Sequence, residues 1–143
     1  MSSRLIAPAG IVVLALVFGS AASAKEFKPG DLRLCSAKGC VAIADQKLLN
    51  GLASFIYMGP QPATVRSPRL GASYLQLKFR NGYVPGIVAT ARLDRWLSYG
   101  VYLERFARGR WYQVPARTAA GLRELAASLQ PFRLTASAVR KSR

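Results

Sequence analysis

Polar and apolar positions alternate along Asp31-Leu32-Arg33-Leu34-Cys35, the period of a half-buried strand. Cys40-Val41-Ala42-Ile43-Ala44 is a second apolar run rich in strand formers. Ser36-Ala37-Lys38-Gly39 between them reads as a four-residue turn, so the two runs form a first hairpin. Asp45 then has the character of a helix N-cap, its carboxylate accepting from free amides of the first turn. Leu48, Leu49, Leu52, Phe55 and Ile56 follow at the spacing of one apolar helix face, with Gly51 as a weak point and Gly59-Pro60 as the stop. Residues 61–72 have no period and read as a loop that exposes Arg66 and Arg69.

Alternation returns over residues 73–80. Leu75, Leu77 and Phe79 take one face; Tyr74, Gln76, Lys78 and Arg80 take the other. Asn81-Gly82 leads into a return strand over residues 83–90 and predicts a type I′ turn, in which both central residues have positive φ. Pro85-Gly86 interrupts that strand, as at a bulge or a sheet edge. Further strands are predicted over residues 98–106 and 110–114, joined by a turn at Ala107-Arg108-Gly109. A last helix spans residues 118–129, with Leu122, Leu125, Ala126 and Leu129 on its inner face. Gln130-Pro131 ends it, and Phe132-Arg133-Leu134 is short enough to add only a closing strand. The order β-β-α-β-β-β-β-α predicts an α+β domain: an antiparallel sheet of about four to six strands with two helices packed on one face.

The ends of the chain carry a different pattern. Residues 1–24 begin with Arg4, continue through the apolar centre Ile11-Val12-Val13-Leu14-Ala15-Leu16-Val17-Phe18, and finish on Ala22-Ser23-Ala24, an A-x-A cleavage pattern. They read as a cleavable export signal. The rival is an uncleaved anchor, because residues 5–24 are uncharged over about the length that crosses a bilayer. Pro8, Gly10 and the short apolar centre favour cleavage, whereas Lys25 and Lys28 oppose translocation. The predicted organisation is therefore a signal at 1–24, one domain at 25–135 and a basic, disordered tail at 136–143. The protein is expected outside the cytoplasm, secreted or associated with the cell envelope.

That compartment changes how the charge and the cysteines are read. The full chain carries 21 Lys and Arg against six acids, a net charge of +15, and loss of the signal removes only Arg4. Such a balance attracts polyanions. Outside the cytoplasm these are an anionic envelope polymer or lipid surface, or an acidic protein, with nucleic acid a weaker candidate. Cys35 and Cys40 flank the first turn and predict a disulfide that fixes the hairpin register. Their C-x-x-x-x-C spacing is not the redox C-x-x-C pattern, and two thiolates without histidine leave a zinc shell half empty. No metal or cofactor is expected.

The chain has no histidine, which removes the commonest general base and the Ser-His and Cys-His pairs. Asp94 and Glu104 are the one carboxylate pair suited to a small secreted hydrolase. Arginines beside each of them oppose the raised pKa that a general acid needs. The remaining signal is an arginine and aromatic strip. Arg95, Trp96, Arg105, Arg108, Arg110, Trp111 and Tyr112 combine cations with rings able to stack on a bound polyanion. The competing reading makes the two tryptophans core anchors and the arginines turn solubilisers. The expectation is a non-catalytic binding module that uses this strip. The alternatives are the Asp94/Glu104 hydrolase or a shape-specific inhibitor or envelope-structural protein.

Overall fold

The computed structural model describes residues 26–58, 63–98 and 109–141. The segment expected to be an export signal (residues 1–24), Glu104, Arg105 and Arg108 lie outside the described residues, as does most of the strand expected over residues 98–106. Within them the chain is α+β. An antiparallel sheet is built from β1 (Leu32–Ser36), β2 (Gly39–Ala42), β3 (Thr64–Val65), β4 (Ser73–Phe79), β5 (Gly86–Ala89), β6 (Arg95–Ser98), β7 (Trp111–Gln113) and β8 (Phe132–Arg133). Its order is β2-β1-β4-β5-β6-β7-β3, and β8 pairs with β4 at Ser73 and Tyr74, where β1 has already ended.

The first hairpin has the expected register, with Cys35 opposite Cys40 and a disulfide joining them. The bond fits an extracytoplasmic protein. It closes so short a loop that chain entropy supplies only about 2 kcal/mol. Hydrogen bonds hold the same turn: within it Ser36 Oγ donates to the Gly39 carbonyl at 3.0 Å, and the Ala37 N–H ties it to the distant Gln130 carbonyl at 3.0 Å.

Asp45 caps α1 (Gln46–Ala53), accepting from the Lys47 N–H at 2.9 Å. Beyond Ala53 the helix widens into a π-helical segment, Ser54–Met58. This segment sends Phe55 and Ile56 into the core and leaves Tyr57 half-buried at its margin. α2 (Ala116–Ala126) starts two residues earlier than the periodicity suggests. Both helices cover one face of the sheet, packing Leu49, Leu52 and Leu122 against Leu34, Leu75, Leu77, Val88 and Trp96. None of the helices among the described residues is long and apolar enough to cross a membrane.

The helices cross where side chains are smallest. A Cβ on Gly51 would lie 2.6 Å from Thr118 Oγ1, and one on Gly121 3.1 Å from Leu48 Cδ1. Gly51 therefore gives up helix propensity to permit the crossing. Gly51→Ala is expected to destabilise the fold by about 1–2 kcal/mol, because overpacking outweighs the propensity gained. Thr118→Ala should restore most of that loss by removing the clashing hydroxyl. Urea unfolding of the single and double variants checks this, and a stabilised Gly51→Ala would contradict it.

Three findings differ from the sequence expectation. The turn after β4 is not type I′. Gly82 has φ +84°, but Asn81 is not among the residues with positive φ. The Gly82 N–H donates to the Phe79 carbonyl at 2.9 Å, the Phe79 N–H to the Tyr83 carbonyl, and the Tyr83 N–H to Asn81 Oδ1 at 3.1 Å. This is a three-residue loop that ends on a left-handed glycine and forms a bulge before β5. Next, part of the presumed loop at 61–72 forms β3, and the presumed tail contains α3 (Ala136–Lys141). Finally, the sheet's other face is also covered. Tyr74, Ile87, Ala89, Leu97, Trp111 and Leu134 form a second buried cluster under Ala138 and Val139 of α3.

Candidate functional site

The double covering of the sheet decides the fate of the aromatic strip. On β6, Trp96 points into the larger core and Leu97 into the smaller one. On β7, Tyr112 and Trp111 divide in the same way. The rings alternate between the two faces, but neither face is open, so Trp96, Trp111 and Tyr112 are all buried, at 1%, 3% and 5% exposure. These rings are packing residues in this fold and offer no stacking surface. The aromatic half of the expected site is corrected accordingly.

Of the strip's arginines, Arg105 and Arg108 lie outside the described residues, Arg95 is half-buried and Arg110 is exposed. Antiparallel pairing of β3 with β7 sets Thr64 opposite Tyr112 and Val65 opposite Trp111. The next step of that register places Arg66 alongside Arg110, and both are exposed. Arg95, at the start of β6, donates from Nη1 to the Arg66 carbonyl at 2.6 Å. Arg66 is thus tied to Arg95 by this bond and lies alongside Arg110 by register, at the side of the sheet bounded by the short edge strand β3. Arg66 was legible in the sequence only as an exposed loop residue, since nothing there pairs it with Arg110.

Asp94 is engaged structurally. Its Oδ2 accepts from Gln113 Nε2 at 3.0 Å, its carbonyl accepts from the Val114 N–H at 2.7 Å, and its Oδ1 is buried without a hydrogen-bond partner.

A second concavity lies near the opposite end of the sheet. It is a cleft of about 540 Å³ lined by Phe27, Asp31, Tyr57, Phe79, Arg80, Asn81 and Tyr83. Three chain segments build it. The turn Lys28-Pro29-Gly30-Asp31, closed by the Asp31 N–H on the Lys28 carbonyl at 3.0 Å, presents Asp31 beside Phe27. The π-helical segment supplies Tyr57, and the end of β4 with its turn supplies Phe79, Arg80, Asn81 and Tyr83. The Arg80 N–H donates to the Asp31 carbonyl at 2.8 Å, joining two walls of the cleft through the backbone. Burial raises the pKa of the Tyr57 phenol, so this group stays neutral past the pH at which an exposed tyrosine ionises. Sequence reasoning placed Arg80 on a polar face but did not foresee the cleft, whose rings come from three separate segments of the chain.

Comparison with known protein families, curated proteins and solved structures finds no match to this chain.

Proposed function

We propose that the protein is an exported, non-catalytic binding module. Its partner is an anionic component of the cell envelope, or an acidic protein, engaged through arginines at the β6–β7–β3 end of the sheet. The observation carrying this reading is Arg66, bonded to Arg95 through its carbonyl and alongside Arg110 by register, in a chain of net charge +15. Guanidinium groups suit the role because their planar forks pair with phosphate and carboxylate in two-point contacts. The disulfide supports a destination outside the cytoplasm, and residues 1–24 have the pattern of the signal that would direct the chain there.

The test is binding to phosphatidylglycerol vesicles and to a soluble acidic polysaccharide across a salt series. Affinity should fall about tenfold or more between about 50 and 200 mM salt, as bound counterions cease to be released favourably. Arg66→Gln combined with Arg110→Gln should weaken binding and flatten the salt dependence. A salt-independent affinity, or a double variant that binds like the parent, overturns the reading.

A further inference from the structure

The aromatic cleft is more than the end of a core. Its rings form an unbroken row: Tyr57 to Phe27 at 5.5 Å, Phe27 to Phe79 at 5.8 Å, and Phe79 to Tyr83 at 6.0 Å between centroids. Phe27 is buried, but Tyr57, Phe79 and Tyr83 are only half-buried. Aliphatic side chains fill much of the neighbouring core, whereas here flat rings reach the surface. Three planar polar groups accompany them: the Asp31 carboxylate, the Arg80 guanidinium and the Asn81 amide. Ring surface, a few convergent polar groups and a volume of this size are the general make-up of a small-molecule site.

We propose that this cleft binds a saccharide, and specifically an acidic one. A pyranose has an apolar C–H face and hydroxyl groups that project around its rim. The half-buried rings offer a platform for that face, as aromatic side chains do for other flat ligands. The rim needs acceptors and donors lying close to the ring plane. Asp31 supplies acceptor capacity: its Oδ2 already takes the Lys28 N–H at 2.8 Å, which fixes the carboxylate and leaves further lone pairs. Asn81 uses its Oδ1 on the Tyr83 N–H, so its amide N–H groups remain as donors. Arg80 is exposed at the mouth, where it can pair with a sugar carboxylate. A purely apolar ligand would leave all three groups unused, and an extended polyphosphate chain has no C–H face to lie on the rings.

The walls are set before any ligand arrives. The backbone bond from Arg80 to Asp31 and the bonds closing the Phe79–Tyr83 turn hold the platform and rim in fixed relation. Such preorganisation reduces the ordering cost of binding. This proposal rests on the anionic-partner reading only for the sign of the ligand's charge, and it uses a different part of the surface.

Calorimetric titration separates the two. The purified chain is titrated with a uronic-acid tetrasaccharide, a neutral glucose tetrasaccharide and inorganic tripolyphosphate. The acidic saccharide should bind best. Tyr83→Leu, which keeps apolar bulk and removes the ring, should weaken it by about tenfold, within the range for loss of a stacking platform. Arg80→Gln should abolish the preference for the acidic over the neutral sugar, and Arg123→Gln, an exposed position on α2, should change neither affinity nor preference. Ligand-induced shifts in the ring resonances of Tyr57, Phe79 and Tyr83 give a readout independent of affinity. Absence of binding by both saccharides overturns the cleft proposal while leaving the vesicle result to stand or fall separately. So does saccharide binding that tripolyphosphate matches and that ignores Tyr83→Leu and Arg80→Gln.

Discussion

Gly86→Ala is expected to destabilise the protein by about 3 kcal/mol, the upper part of the range for overpacking a core. Gly86 opens β5 and is paired on both sides, with Leu77 of β4 and Ser98 of β6. A Cβ there would sit 2.4 Å from the Leu97 carbonyl oxygen and 2.6 and 2.7 Å from Cζ2 and Cη2 of Trp96. The first contact is with backbone, so no rotamer change relieves it. Moving Leu97 means displacing β6, which β5 and β7 hold by pairing on either side. The ring contact has little freedom either, because Trp96 is fully buried. Glycine is required here by the close approach of a ring and a neighbouring strand, a recognised reason for glycine within a strand. Guanidinium unfolding of parent and variant checks the prediction. A loss below about 0.5 kcal/mol, the scale of an ordinary surface substitution, would show that the strand can yield.

The sequence disclosed Gly86 only as half of a Pro85-Gly86 interruption, and that contrast runs through the whole fold. Local signals were legible where one residue's chemistry or a regular period determined the outcome. Asp45 caps its helix, Cys35 faces Cys40, and Leu75 and Leu77 share a face because each depends on neighbours a few positions away. Elements of two residues have no period to read, which hid β3 and left β8 as a bare suggestion. Most of β6, residues 95–97, lies ahead of the strand expected over 98–106 and was missed for a related reason: Trp96, Leu97 and Ser98 are buried in succession, and a strand covered on both faces shows no polar alternation. Asn81-Gly82 correctly marked a hairpin, but the bulge toward Pro85 selected a longer loop than the dipeptide implies.

The candidate sites show the same limit more sharply. Alternation separated Trp111 from Tyr112 but could not say that α3 covers one face while α1 and α2 cover the other. Exposure is a property of the layers, and a strand's own sequence does not contain it. The arginine cluster needs the β3–β7 register, and the cleft needs Phe27, Tyr57 and the Phe79–Tyr83 turn brought together from three segments. The notable local hint was Phe79-Arg80-Asn81-Gly82-Tyr83, where a hairpin turn holds two rings, a cation and an amide within five residues.

Trp96→Ala is expected to cost about 3–5 kcal/mol, the range for truncating a large buried aromatic residue. The ring is 1% exposed, meets Phe55 edge-on at 5.9 Å and 82°, and lies against Gly86. Trp96→Phe should be far milder. The indole Nε1 is buried without a hydrogen-bond partner, so phenylalanine loses ring area but no hydrogen bond, and it removes an unsatisfied donor. It also lacks the outer ring atoms that a Cβ at residue 86 would strike. In the Trp96→Phe background, Gly86→Ala should therefore cost less than in the parent, with a coupling of about 1 kcal/mol. The cost should not vanish, because the Leu97 carbonyl remains 2.4 Å from the same Cβ position. The cycle also tests the reassignment of this ring from surface contact to core. A Trp96→Phe variant that unfolds like the parent yet no longer binds anionic vesicles would mean that the indole touches the partner. Retained binding with additive or coupled stability changes is what a packing residue gives.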